Sequence, residues 1–136
     1  MILIDTGPIV ALLNSADPDH KTCVDAARKL RDLELVTTWP CFTEAMYLLY
    51  REGGLQFQEA LWKLRASGVL HLHSLAPEEE HRMRQMMLQY ADSPMDLADA
   101  SLIASAESLS IDRIFTIDGH FHAYRLANGA ALQVVP

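Results

Sequence analysis

The chain has 136 residues, 50% of them hydrophobic, with 11 basic and 18 acidic side chains and a net charge of -7. That length fits one domain over residues 1–136 with a sizeable core; the apolar content excludes a disordered chain, and no apolar run is long enough to cross a bilayer. Cys23 and Cys41 form no Cys-x-x-Cys pair and make neither a disulfide framework nor a zinc knuckle, so both are expected reduced and packed.

Taken in chain order, the run Met1 to Ile4 opens a strand near 2–5 that ends in Asp5. It has no basic flank and is interrupted by that acid, which fits a first buried strand rather than a signal peptide and makes the cytoplasm the expected compartment. Helices are expected near 7–14 and 19–32, a strand near 34–38, helices near 40–51 and 56–67, and a strand near 69–74. Helices near 77–90 and 94–109 and strands near 113–117 and 131–135 complete the pattern. This βαβ rhythm predicts an α/β fold, a three-layer α/β/α sandwich around a Rossmann-like, mostly parallel, five-stranded sheet. Gly53-Gly54, Ser67-Gly68 and Asn128-Gly129 mark helix ends and turns.

Five acids fall where such a fold could gather carboxylates. Asp5 follows the first strand and Asp118 follows Ile114-Phe115-Thr116-Ile117, so both belong to the sheet's carboxyl edge, where open α/β sheets bind ligands. Each also has a simpler role, Asp5 as the N-cap before Pro8 and Asp118 as the cap of the turn carrying His120 and His122. Glu44 is the only charge from Pro40 to Tyr50, facing either solvent beside Thr43 or a cation. Asp96 and Asp99 stand at i and i+3 on one helix face. Ser93-Pro94-Met95-Asp96 reads as a capping box, whereas Asp99 lies too deep in the expected helix 94–109 to cap it. Gathered carboxylates repel one another and call for a hard divalent cation with oxygen ligands.

The histidine pairs His71-x-His73 and His120-x-His122 lack a partner cysteine or a His-Glu-x-x-His context. Phosphate-loop, dinucleotide and serine-hydrolase motifs do not occur. Met83, Met86, Met87 and Tyr90 form an apolar stripe that suits a core or a partner helix. Net acidity argues against a nucleic-acid partner only superficially: setting aside the five candidate acids leaves 13 acids against 11 bases. The bases bunch in Arg28-Lys29-Leu30-Arg31 and across Arg51, Lys63 and Arg65, which could supply phosphate contacts.

The stretches Ile2 to Asn14, Thr43-Glu44-Ala-Met-Tyr-Leu-Leu49, Asp96-Leu-Ala-Asp-Ala-Ser-Leu-Ile-Ala104 and Thr116-Ile-Asp118 resemble the PIN-domain ribonucleases, and the compact form is similar to the VapC-type toxins of toxin-antitoxin pairs. The resemblance implies endonucleolytic cleavage of RNA dependent on Mg²⁺ or Mn²⁺, one or two ions per site. It further implies a homodimer and a cognate antitoxin laid across the active groove. Matched position by position, Asp5, Glu44, Asp99 and Asp118 correspond to the family's acids, Asp96 is an additional candidate metal ligand, and Thr116 corresponds to a small hydroxyl residue that orients the last acid or a water. The mechanism expected on this basis has Asp5 and Asp99 holding the principal ion, with Glu44, Asp96 and Asp118 completing a second site or its water shell. Two other readings compete: a phosphatase or phosphotransfer domain with Asp5 as nucleophile, and a non-catalytic binding module pairing through the Met83 to Tyr90 helix.

Overall fold

A computed structural model describes residues 1–136. Five strands form one sheet: β1 (Ile2–Ile4), β2 (Leu35–Thr38), β3 (Leu70–His73), β4 (Arg113–Phe115) and β5 (Gln133–Val135). Their order is β3-β2-β1-β4-β5, and every neighbouring pair is parallel, so the expected mostly parallel sheet is wholly parallel. Six helices flank it: α1 (Thr6–Leu13), α2 (His20–Lys29), α3 (Trp39–Gly53), α4 (Leu55–Ala66), α5 (Pro77–Gln89) and α6 (Leu97–Leu109). None of them is long and apolar enough to cross a membrane.

Strand alternation builds two cores. Ile2, Ile4, Leu35 and Phe115 point to one face, where they pack with Ile9, Cys23, Phe42, Leu49 and Leu61 from α1 to α4. Leu3, Val36 and Ile114 point to the other, against Met83 and Met86 of α5, Leu102 and Ile103 of α6, and Phe121 and Tyr124 beyond β4. β1, buried on both faces, is apolar at every position, whereas β2, equally buried, ends in Thr37 and Thr38. Cys23 and Cys41 are free thiols inside these cores. The methionine stripe divides: Met83 and Met86 are core, whereas Met87 and the neighbouring Leu88 reach the surface.

One boundary differs in a way that bears on the site. Helix α6 starts at Leu97 rather than at 94, because Asp96 takes the N-cap and the Ser93-Pro94 segment stays in the preceding turn. Asp99 is therefore the third residue of the helix, in its first turn, and its backbone N–H donates to Asp96 Oδ1 at 2.8 Å. Between α3 and α4 the chain reverses at Gly54, whose φ of 71° is left-handed backbone that favours glycine.

Candidate active site

The sheet topology fixes where a ligand can sit. From β1 the chain winds outward through β2 to β3, then returns to place β4 on the opposite side of β1. The loops after β1 and β4 therefore diverge and leave a crevice at their carboxyl ends. Asp5 follows β1 directly and Asp118 lies three residues beyond β4, so the crevice receives one acid from each loop. The N-terminal turn of α6 adds Asp99. One carboxylate oxygen from each of Asp5, Asp99 and Asp118 lies within 4.8 Å of the other two.

These three acids, together with Glu44 and Asp96, line a cavity of about 230 Å³ whose walls also include Thr6, Gly7, Leu48 and Ile117. All five acids named from the sequence thus face one space. They are not equivalent. Asp5 and Asp99 are each only 8% exposed, whereas Glu44 and Asp96 are exposed at the rim. Asp118 groups with Asp5 and Asp99 in the tight cluster. Gly7 lets α1 approach the β4 loop, since a Cβ there would come within 3.0 Å of Ile117 Cγ1.

Capping and convergence turn out to be the same geometry. Asp5 caps α1, its Oδ1 accepting from the Thr6 N–H at 2.7 Å, while its Oδ2 accepts from Thr116 Oγ1 at 2.8 Å. Thr116 Oγ1 also accepts from the Asp118 N–H at 3.0 Å, so one hydroxyl links both sheet-edge acids. Asp118 caps the short 3₁₀ turn Gly119–His122, its Oδ1 accepting from the His120 N–H at 2.9 Å and lying 2.7 Å from His120 Nδ1. Thr6 Oγ1 donates to Glu44 Oε2 and to the Cys41 carbonyl, each at 3.3 Å. The Tyr124 hydroxyl donates to Asp99 Oδ2 at 3.0 Å.

No lysine or arginine lines the cavity; the base in contact with a clustered acid is His120, whose Nδ1 lies 2.7 Å from Asp118 Oδ1. Burial pushes the Asp5 carboxyl up to about 6; repulsion from Asp118 and Glu44 adds to this, and the Thr116 and Thr6 hydrogen bonds oppose it. Burial and then the Asp96 charge push Asp99 up to about 7, against the Tyr124 hydrogen bond. Glu44 is raised by burial and by Asp96. Such a site discourages its own ionisation. It suits a hard divalent cation, because oxygen donors converge, their combined charge is negative and no lysine or arginine competes.

The histidines have other roles. His73 Nε2 lies 2.7 Å from Glu79 Oε2, which also accepts from Ser108 Oγ at 2.8 Å, tying β3 to α5 and α6 away from the cavity. His120 acts on Asp118, as above. Thr6, His120 and Tyr124 touch the acids but went unnoticed as supporting groups in the sequence. Tyr124 offered only its apolar spacing from Phe121 there, a signal that marks a core position and not a donor.

The chain matches the PIN domain family over residues 2–126. It is 26% identical to ribonuclease VapC26 of Mycobacterium tuberculosis, over 99% of this chain and 100% of that one. Among solved structures it is similar to VapC20 of Mycobacterium tuberculosis, described as a sarcin-ricin loop cleaving toxin, with a TM-score of 0.81 and 22% identity over 100% of both chains. A chain of VapBC2 from Rickettsia felis, solved bound to a DNA fragment from its promoter, matches with a TM-score of 0.69 and 12% identity, over 98% of this chain and 97% of that one.

Proposed function

Because the chain belongs to the PIN-domain family, we propose that it is a metal-dependent endoribonuclease in which Asp5, Asp99 and Asp118 hold Mg²⁺ or Mn²⁺. Glu44 and Asp96 complete the water shell or a second ion position, and Thr116 orients Asp5. The observation that carries this reading is the convergence of three carboxylates at the β1/β4 crevice with no lysine or arginine in the cavity lining. The similarity to VapC26, a ribonuclease, and to VapC20, a sarcin-ricin loop cleaving toxin, supports RNA as the substrate class and a toxin as the biological role.

When bound, the ion supplies the charge that lowers the pKa of a water and offsets negative charge on the phosphodiester. The chain's own residues do the rest. Asp5 is held on both oxygens, by Thr6 and Thr116, so it presents a fixed lone pair to the cavity. With that lone pair turned to the ion, Asp5 serves in this reading as a ligand rather than as a phosphotransfer nucleophile. Cys41 is no alternative, since burial pushes its thiol up to about 12. Water is then the nucleophile, and Glu44, exposed at the rim with a raised carboxyl, is placed to orient it or take its proton.

Grip on the strand has to come from outside the cavity lining: Trp39, which shares a surface depression with Glu44 and Asp96, offers a stacking face for a base, and Arg51, Lys63 and Arg65 are the candidates for phosphate contacts. An antitoxin and a second copy of the chain are the expected partners in the cytoplasm, in line with the similarity to VapBC2. Surface-exposed Met87, Leu88 and Leu97 offer apolar area for one of them.

The test is cleavage of a panel of structured and single-stranded RNAs by the purified chain with Mn²⁺, with EDTA, and with Asp99→Asn. Cleavage that requires both the metal and Asp99 is expected. Full activity in EDTA or in Asp99→Asn would overturn the reading.

A further inference from the structure

We propose that Tyr124 is a positioning residue for the metal site, its buried hydroxyl locking Asp99 so that the carboxylate's other oxygen faces the cluster. The inference rests on the metal-holding role proposed above for Asp99.

The three clustered acids are held unequally. Asp5 accepts from two donors, the Thr6 N–H and Thr116 Oγ1. Asp118 Oδ1 has two contacts, both from His120. The carboxylate of Asp99 receives one hydrogen bond, from Tyr124. Asp96, one turn away, contributes a negative charge and accepts from the Asp99 backbone, so it does nothing to hold the Asp99 side chain.

Tyr124 is built to hold its position. It is 1% exposed and sits edge-on to Phe121 and Tyr90, with ring centroids 5.2 Å away in each case. Both of its neighbours lie in or against the core on the α5/α6 face of the sheet. The phenol is therefore aimed by packed aromatic rings, and only its oxygen reaches the acid. A lysine or arginine there would neutralise Asp99 and compete with a cation. A neutral phenol fixes the geometry while leaving the charge available.

The same short stretch of chain serves the whole cluster. Thr116 holds Asp5, His120 holds Asp118 and Tyr124 holds Asp99, so the segment after β4 supplies a donor to each acid. Partners that orient metal ligands in this way typically change affinity by about 10-fold to 100-fold when removed.

The experiment compares Mn²⁺ affinity by calorimetry, alongside melting in EDTA, for wild type, Tyr124→Phe, Tyr90→Phe and Asp99→Asn. Tyr124→Phe keeps the ring packing and loses only the hydroxyl. Tyr90→Phe loses a hydroxyl that accepts from the Arg125 N–H at 2.9 Å and does not touch Asp99. The expected result is Mn²⁺ binding weaker by roughly tenfold in Tyr124→Phe, unchanged in Tyr90→Phe and lost in Asp99→Asn. Wild-type affinity in Tyr124→Phe, with binding lost in Asp99→Asn, would overturn the proposal and leave the metal site standing. Equal weakening in both tyrosine variants would reassign Tyr124 to packing alone. Absence of Mn²⁺ binding in wild type would remove the metal reading and this proposal with it. Should Tyr124→Phe fail to fold, Mg²⁺ titration of wild type carrying ¹³C-labelled tyrosine decides: the Tyr124 ring signals must shift more than those of Tyr90.

Discussion

Replacing Asp5 with asparagine should stabilise the metal-free protein, and only at a pH where the wild-type acid is ionised. Asp5 is 8% exposed, and its carboxyl is pushed up from 3.8 to about 6, chiefly by burial. A group that binds its proton more tightly when folded subtracts stability as pH rises through the interval between the two values. Below 3.8 the acid is neutral in both states and the penalty is absent. Above about 6 it is fully developed, and a shift of roughly 2 units corresponds to about 3 kcal/mol. Asparagine remains a favoured N-cap, its carbonyl can accept from Thr6, and its amide can donate to Thr116 Oγ1 while that hydroxyl turns away. Some of the gain is lost to that rearrangement, leaving roughly 2 kcal/mol, or a melting temperature higher by about 5–10 °C for a chain of this size.

The assay is thermal unfolding followed by circular dichroism, in EDTA, at pH 4 and pH 8. At pH 8 Asp5→Asn should melt well above wild type; at pH 4 the difference should fall below about 1 kcal/mol. Saturating Mn²⁺ should reverse the order at pH 8, because wild type gains about 2.7 kcal/mol at a hundredfold excess over Kd and the variant gains far less. An equal or lower melting point for Asp5→Asn at pH 8 in EDTA, or the same gain at both pH values, would refute the argument that the cluster is held ionised against its own repulsion.

Two further outcomes test neighbouring steps. Thr116→Val keeps the shape of the side chain but removes the donor to Asp5 and the acceptor for the Asp118 N–H; it should cost about 1–3 kcal/mol and lower cleavage at least tenfold at limiting metal, read by melting and by initial rates. Arg82→Ala breaks a partly buried two-pronged pair with Glu107 that joins α5 to α6 and also frees the Glu107 contact to the Ala127 N–H; stability should fall by about 1–3 kcal/mol while cleavage by the folded fraction is unchanged, measured by urea unfolding and single-turnover rates.

The acids were legible in the sequence because two of them close strongly apolar strands and two others share a helix face, patterns that local spacing records. Their mutual distances were not, since Asp5 and Asp118 are brought together by the pairing of β1 with β4, with more than a hundred residues of chain between them. For Asp5 and Asp118, capping and convergence on the cluster do not exclude one another. The structure makes Asp5, Asp96 and Asp118 each a cap, and for Asp5 and Asp118 the cap is what holds the carboxylate in the cluster. The start of α6 differs for a related reason: Ser93-Pro94 carries a strong start signal, but the cap is Asp96, whose side chain accepts from the Asp99 N–H.

What the sequence conceals is the support. Thr6, His120 and Tyr124 are ordinary residues for a helix start, a turn and a core, and nothing in their spacing announces a carboxylate partner. The two cores explain how such a site can persist. Repelling acids would spread apart if they stood on mobile loops, but Asp5 follows a strand buried on both faces, and the Asp99 partner Tyr124 is wedged among aromatic rings. Packing therefore opposes the electrostatic strain, and the strain favours any hard cation that enters. A protein that neutralised these acids with its own lysines or arginines would be more stable when metal-free, and it would have given up the charge that can attract a cation.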